Sequence, residues 1–190
     1  IMDVITVQDL LTKDIKGKVV CFPTDTVYGV GALIDDIDGI NKIYNLKNRD
    51  KSKPLAVLTS TKNIDKYVLS INANAKQLMN LYWPGALTLI FKKSNMINDI
   101  VTSNLDTVGL RMPNSKVALQ ILNHFGLMAT TSVNISGKEP LNDINEIIKY
   151  FSDDIDYLVV DKEETSNVSS TIIDVTTDTF KVIRQGDIKL

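Results

Sequence analysis

Short runs rich in β-branched and aromatic residues alternate along this chain with segments of helical spacing, and this alternation limits the fold more than any other feature. The predicted strands are Lys18–Phe22, Leu55–Leu58, Ala86–Phe91, Val108–Met112, Met128–Val133, Leu158–Val160, Thr171–Val175 and Phe180–Ile183. The predicted helices are Val7–Lys13, Ile37–Leu46, Ile64–Leu69, Asn74–Tyr82, Lys116–Phe125 and Ile144–Phe151. Interleaved elements predict an α/β (α+β) fold, built on a large twisted mixed β-sheet with flanking helices. The final run of strands argues against a simple doubly wound sheet.

The composition predicts one soluble domain. With 190 residues and 44% hydrophobic content the chain can bury a sizeable core, and no linker, repeat or low-complexity tract divides residues 1–190. The 21 Lys and Arg residues nearly balance the 23 Asp and Glu residues, so no global field favours nucleic acid or an anionic membrane. The sequence has neither a signal-peptide pattern nor a membrane-spanning apolar run, and a lone cysteine cannot form an internal disulfide. We therefore expect a cytoplasmic protein.

The segment Pro23–Gly31 directly follows an apolar run and contains small hydroxyl residues and two glycines. Such a segment at a strand end can present backbone N–H groups and side-chain oxygens to a ligand. It is not the dinucleotide fingerprint, because Ile34 stands where the third glycine would be, and the chain also lacks a P-loop. We predict a ligand-binding edge of another design.

Four cations, Lys47, Arg49, Lys51 and Lys53, alternate with other residues just after a predicted helix. In an extended conformation this spacing directs the cations to one side, where Lys and Arg together can hold a polyphosphate. A solvated, charged loop explains the same pattern about equally well.

Polar residues also mark the ends of two other predicted strands. Thr131, Ser132 and Asn134 lie near a strand end, where α/β sheets commonly bind ligands, but a turn with self-bonding side chains is an equal alternative. Arg111 ends an apolar strand, so it either faces solvent or binds an anion such as a carboxylate.

In the last third of the chain, polar residues again stand next to predicted strands. Ser170 precedes a predicted strand, and Arg184 follows the final one. The polar stretch Asp161–Ser169 is a candidate mobile loop beside a site.

Three conspicuous residues have structural explanations. His124, the only histidine, stands near the C-terminal end of a predicted amphipathic helix, where it complements the helix dipole. Cys21 lies in an apolar strand and is expected in the core, and Trp83 is expected to anchor a helix end in the core. Histidine base catalysis and thiol chemistry are therefore not expected.

Five separated motifs occur in order along nearly the whole chain: Pro23-Thr24-Asp25-Thr26-Val27-Tyr28-Gly29, Lys47-x-Arg49 followed by Lys53-Pro54-Leu55, Trp83-Pro84-Gly85-x-Leu87-Thr88, Leu110-Arg111-Met112-Pro113, and Thr131-Ser132-Val133-Asn134-x-Ser136-Gly137. Together they resemble the YrdC-like family of threonylcarbamoyl-AMP synthases, in its single-domain form. Lys53, Ser115 and Val133 depart from residues common in that family, which leaves the fine geometry of the substrate contacts open.

The resemblance implies a concave basic cavity that binds ATP, L-threonine and bicarbonate, with Mg²⁺ sharing the phosphate charge. The implied activity is nucleotidyl transfer, which yields threonylcarbamoyl-AMP and pyrophosphate for N6-threonylcarbamoyladenosine (t6A) in tRNA. The implied partners beyond the substrates are tRNA or a downstream threonylcarbamoyl-transfer complex. The family's catalytic set falls on Lys47, Arg49, Ser132 and Asn134, which with Arg184 also form the implied ATP site. The implied threonine contacts are Thr26, Lys53, Arg111, Thr131 and Ser170.

Two other functions remain open at this level. A basic concave surface could bind RNA without catalysis, although the acidic pI and the lack of aromatic residues interleaved with the cations of Lys47–Lys53 argue against it. A carbamoyl-adenylate domain of the hydrogenase-maturation type resembles the same fold but normally belongs to a much longer protein.

Overall fold

The computed structural model describes residues 1–46, 49–135 and 137–190, and their strands form one mixed sheet. The strands are β1 (Asp3–Ile5), β2 (Val20–Phe22), β3 (Gly29–Leu33), β4 (Ala56–Leu58), β5 (Leu87–Lys92), β6 (Thr107–Arg111), β7 (Met128–Ser132), β8 (Tyr157–Val159), β9 (Thr171–Asp174) and β10 (Lys181–Arg184). Their order across the sheet is β1-β8-β2-β3-β7-β4-β6-β5-β9-β10. The pairs β1 with β8, β8 with β2, β4 with β6, and β5 with β9 are parallel. The other neighbouring pairs of this sheet are antiparallel, which confirms that the sheet is mixed.

The helices are α1 (Val7–Leu10), α2 (Ile37–Leu46), α3 (Ala73–Tyr82), α4 (Lys116–Phe125) and α5 (Ile144–Phe151), and a 3₁₀ turn spans Asp65–Tyr67. Side-chain caps begin four of them: Thr6 accepts from the Asp9 amide, Asn72 from Ala75, Ser115 from Ala118, and Asp143 from Asn145 and Glu146. No helix in the described ranges has both the length and the apolar character needed to cross a bilayer.

The two faces of the sheet build two separate cores, because successive residues of a strand point to opposite faces. The larger core lies between one face and helices α2, α3 and α5, and includes Cys21, Val30, Val57, Leu110 and Ile147. The smaller core lies under α1 and α4 on the other face, and includes Val20, Phe22, Leu58, Met128 and Ile121. Helices α1 and α4 pack on only part of that second face.

The connection from β8 to β9 joins strands that lie second from opposite edges of the sheet. Carboxylates near its start accept backbone hydrogen bonds from the first turns of two helices: Asp161 from Val7 (2.7 Å) and Glu163 from Val117 (2.8 Å). Further along, the amide of Ser166 donates to the carbonyl oxygen of Asp25 (3.0 Å). The stretch predicted as a mobile loop is therefore hydrogen bonded to both helices of the second face and to the segment after β2.

The predicted helices over α2, α4 and α5 are confirmed with the same bounds. The helix predicted at Ile64–Leu69 is wrong: only the 3₁₀ turn forms, since Ile64 and Val68 reach the core while Val68 already forms an isolated bridge to Lys93. Strands β1 and β3 were not predicted. In β3, glycines at positions 29 and 31 lower the strand propensity of the sequence.

Candidate functional site

A cavity of about 260 Å³ opens on the second face of the sheet, beside the part that α1 and α4 cover. Small residues of the sheet leave space for this cavity: Gly29 lies opposite Ser132, and Ala56 lies between Thr130 and Gly109. The lining residues are Thr24, Thr26, Val27, Gly29, Arg49, Pro54, Ala56, Leu58, Thr88, Arg111, Thr130, Thr131, Ser132, Ser169, Ser170, Ile172 and Arg184. Hydroxyls and three guanidinium groups dominate the polar part of this lining.

Part of the predicted ligand edge Pro23–Gly31 is strand β3, so its backbone groups serve the sheet ladder. A Cβ at Gly31 would lie 2.8 Å from Cγ2 of Thr130 and 3.3 Å from the carbonyl oxygen of Ala129. This glycine is thus required by the close approach of β7, and the prediction that its backbone serves a ligand is wrong.

Arg111, the last residue of β6, is buried and binds a carboxylate of this chain. Its Nη1 donates to Oδ1 of Asp25 (2.6 Å) and to the carbonyl oxygen of Gly85 (3.2 Å), and its Nη2 donates to Thr26 (3.1 Å) and Thr24 (3.4 Å). The side chains of Arg111 and Asp25 are only 6% and 14% exposed. The guanidinium that the resemblance assigns to the threonine substrate therefore already binds Asp25, and Arg111 fixes the hydroxyls of the Thr24–Thr26 segment.

Arg49 joins the cavity wall to β7. Its Nη1 donates to Oγ1 of Thr131 (3.2 Å), while Nε and Nη2 donate to the carbonyl oxygens of Lys53 (3.2 Å) and Pro54 (2.9 Å). The segment after it is a turn closed by the Lys53 amide on the Asp50 carbonyl oxygen (3.0 Å). The extended conformation predicted for the alternating cations is wrong here, because the turn breaks the alternation and leaves the Lys53 side chain exposed, outside the described lining.

Ser132 lines the cavity at the end of β7, and its hydroxyl donates to Oδ1 of Asn134 (3.0 Å). The Nδ2 group of Asn134 donates to the carbonyl oxygens of Ile135 (3.3 Å) and Lys138 (3.4 Å). Asn134 is not among the described lining residues, so the structure connects it with the cavity through Ser132. The alternative of a self-bonded turn is therefore partly correct: the side chains of Ser132 and Asn134 form hydrogen bonds within the segment, while Ser132 also lines the cavity.

Ser170 and Arg184 meet on the opposite side of the cavity. Nε of Arg184 donates to the carbonyl oxygen of Ser170 (2.9 Å), and Nη2 lies 3.2 Å from the Ser170 hydroxyl oxygen. That hydroxyl also lies 2.8 Å from Oγ1 of Thr88, which extends from β5. One residue of β5, one of β10 and the residue directly before β9 thus form one hydrogen-bonded group.

Burial changes the titration of two lining arginines. Burial lowers the pKa of Arg49, and the electrostatic interactions with Tyr44 and Asp50, which raise this pKa, only partly offset the effect. Burial and the charge of Arg111 both lower the pKa of Arg184. An arginine remains a cation at neutral pH in spite of such shifts, so both can attract an anion. The basic character that the resemblance implies for the whole cavity stays a prediction.

The described residues offer no group of three or more His, Cys, Asp or Glu side chains that could hold a metal ion. The Asp25 carboxylate, whose chain neighbours Thr24 and Thr26 line the cavity, is paired with Arg111. These residues do not fit a magnesium site built by the protein alone, and we derive no step through one.

Seven predicted site residues line the cavity together: Thr26, Arg49, Arg111, Thr131, Ser132, Ser170 and Arg184. Lys47 lies outside the described residues. Sequence reasoning missed the structural partners Asp25 and Thr88, although both stand inside the motifs quoted above. Their separations from Arg111 and Ser170, 86 and 82 residues, gave no signal for the contacts.

The fold and cavity define an α/β protein with a polar, arginine-lined cavity on its sheet. The Sua5/YciO/YrdC family model, described as "Telomere recombination", matches residues 15–186, and the chain belongs to this family. This chain is 33% identical to the threonylcarbamoyl-AMP synthase of Pyrococcus abyssi over 177 residues. The aligned region covers 92% of this chain and 52% of that protein. A Methanocaldococcus jannaschii relative is 36% identical over 186 residues, 97% of this chain and 87% of that protein.

A solved structure of P. abyssi Sua5 complexed with L-threonine superposes with a TM-score of 0.90 at 30% identity. The superposition covers 98% of this chain and 57% of that one. The chain therefore spans a little over half the length of the Pyrococcus relative.

Proposed function

We propose that this chain is an L-threonylcarbamoyladenylate synthase, a nucleotidyltransferase that forms threonylcarbamoyl-AMP and pyrophosphate from L-threonine, bicarbonate or CO₂, and ATP. The observation that carries the proposal is the polar cavity with three arginines, on a fold that superposes over 98% of its length with a threonine-bound relative. On this proposal the product serves t6A formation in tRNA, in the cytoplasm.

The reaction has two bond-forming steps. The threonine nitrogen attacks the carbon of CO₂ and loses a proton, which gives a carbamate. A carbamate oxygen then attacks the α-phosphorus of ATP, and the bond from that phosphorus to the bridging oxygen breaks as pyrophosphate leaves. Both reactants of the second step are anions, so their mutual repulsion is the main obstacle.

We assign Arg49 the role of offsetting this repulsion between the two anions. Its hydrogen bonds to Thr131 and to two carbonyl oxygens hold the guanidinium at the cavity wall, so little reorganisation is needed when charge develops there. We assign Lys47 to the same role on the strength of the resemblance. Magnesium would enter with the ATP phosphates and neutralise part of their charge.

The hydroxyl groups are assigned to positioning. Ser132 and Asn134 orient carbamate and phosphate oxygens, and for this the Ser132 hydroxyl hydrogen turns from Oδ1 of Asn134 to the substrate. Thr26, held by Arg111, contacts the threonine substrate. Holding two reactants in register lowers the entropic part of the barrier, and no strong protein base is required when the amine arrives unprotonated.

The test is to incubate the chain with ATP, Mg²⁺, bicarbonate and L-threonine and to detect threonylcarbamoyl-AMP by mass spectrometry. We expect product and pyrophosphate only when threonine is present. Pyrophosphate release that ignores threonine would contradict the proposal, and a carbamoyl-adenylate formed without threonine would favour the carbamoyl-adenylate alternative. Salt-dependent RNA binding without turnover would favour the binding module.

Arg49→Ala is the variant that tests the assigned charge. Loss of one preorganised donor in a transition state typically reduces kcat by about 10²- to 10³-fold, and we expect a loss of at least this order. Lys62→Ala is a charge-matched control, since Lys62 is exposed and lies outside the described lining. Equal activity in the two variants rejects the assignment.

A further inference from the structure

Thr88 lies in the cavity wall on β5 and is only 5% exposed, yet neither the sequence motifs nor the proposed reaction gives it a role. Its side chain makes one hydrogen bond within the described residues, to the Ser170 hydroxyl at 2.8 Å. We propose that Thr88 is a positioning residue whose hydroxyl directs the Ser170 hydroxyl hydrogen toward an anionic group of the bound substrates. This inference rests on the proposed function.

The direction of the hydrogen bond follows from donor counting. A guanidinium only donates, so Ser170 Oγ must accept from Nη2 of Arg184. The contact between the two hydroxyls uses one of their two hydrogens. If Thr88 donates, both lone pairs of Ser170 are filled, by Thr88 and Arg184, and the Ser170 hydrogen is left for a group in the cavity.

The opposite direction is less favourable. If Ser170 donated to Thr88, the remaining hydrogen would lie on Thr88, one hydroxyl further from the guanidinium. A hydroxyl that accepts directly from a cation is the more polarised donor, so an anion gains more from Ser170 than from Thr88. The branched side chain of Thr88 also restricts the direction of its oxygen.

The charges at this end of the cavity favour an anion. Arg111 has Asp25 as its counter-ion at 2.6 Å, whereas the described part of the chain gives Arg184 no carboxylate within 4.0 Å. Arg184 and the Ser170 hydroxyl therefore present two neighbouring donors to one place, and Thr88 sets the second of them.

A double-mutant cycle on the full chain tests this inference. We would measure the affinities of ATP and of L-threonine by calorimetry, and KM and kcat in the synthase assay, for Thr88→Val, Ser170→Ala and the double variant. Loss of one oriented hydrogen bond predicts that Thr88→Val weakens at least one of the two affinities roughly 2- to 12-fold, with KM raised and kcat little changed. Thr88→Ser, which keeps the hydroxyl, should restore wild-type values.

The decisive comparison is made in the Ser170→Ala background. Because Thr88 acts through Ser170, Thr88→Val should then have no further effect. Independent effects of the two substitutions, or a Thr88→Ser variant as impaired as Thr88→Val, overturn the inference. Thr88→Ala replaces Thr88→Val in the cycle if the valine variant does not fold.

The outcomes separate the two proposals. If the wild-type chain turns over but Thr88→Val and Ser170→Ala act independently, only the role of Thr88 is contradicted. A wild-type chain that binds neither ATP nor L-threonine contradicts both.

Discussion

Replacing Asp25 by alanine should destabilise this protein strongly, because it leaves the Arg111 guanidinium buried without its counter-ion. The two side chains are 14% and 6% exposed, and their charged atoms are 2.6 Å apart. Breaking a buried ion pair by removing one partner typically costs about 3–5 kcal/mol. Arg111 keeps its hydrogen bonds to Gly85, Thr24 and Thr26, so we expect the lower end, about 3 kcal/mol.

For a chain of this size each kcal/mol moves Tm by roughly 2–4 °C, so Asp25→Ala should lower Tm by roughly 6–12 °C. Asp106→Ala is the matched control: its carboxylate lies 2.8 Å from the Lys92 ammonium, but the pair is exposed on the surface. Exposed pairs contribute little, so this variant should unfold like the wild type.

Thermal and urea unfolding of both variants measure the difference. If Asp25→Ala unfolds at the same temperature and denaturant concentration as Asp106→Ala, burial is not what makes the Arg111 pair important, and the argument fails. Asp25→Asn, which retains one acceptor oxygen for Nη1, should fall between the wild type and the alanine variant.

Two further predictions concern glycine packing and the single thiol. A Cβ at Gly186 would contact the Ser169 carbonyl oxygen and lie 2.7 Å from the Thr171 nitrogen, so Gly186→Ala should displace the Ser170 backbone and raise KM in the synthase assay. A KM equal to that of the wild type refutes this. Burial raises the pKa of the Cys21 thiol, so it should not react with a disulfide reagent at pH 8 in the folded protein and should react fully in denaturant, and rapid labelling of the native chain would contradict its burial.

The sequence was a reliable guide where one local pattern decides the outcome. Helices α2, α4 and α5 were predicted with their observed bounds because an amphipathic stripe and a cap act within a few residues. Strand β3 was missed because its two glycines serve packing against β7, a neighbour about 100 residues away in sequence by the register of Gly31 and Thr130.

The same distinction applies to the site. The motifs contain many of the residues that line the cavity, since each motif is a local arrangement of polar side chains at a strand end. The pairing of Arg111 with Asp25 could not be predicted, because the sequence left open whether Arg111 faces solvent or binds an anion, and many carboxylates are available along the chain. The exposed position of Lys53 depends on a turn that alternating charges do not reveal.

The order of strands in the sheet has a consequence for how the site comes into being. Strand β2 pairs with β8, and β5 pairs with β9, so neighbours in the sheet are separated by more than 80 residues of chain. Folds dominated by such distant pairings form slowly, since long loops must close before their contacts give any stability. During synthesis the wall containing Thr26 and Arg49 leaves the ribosome long before Ser170 and Arg184, so a ribosome-bound nascent chain acquires a complete cavity only after the segment that contains Arg184 has emerged.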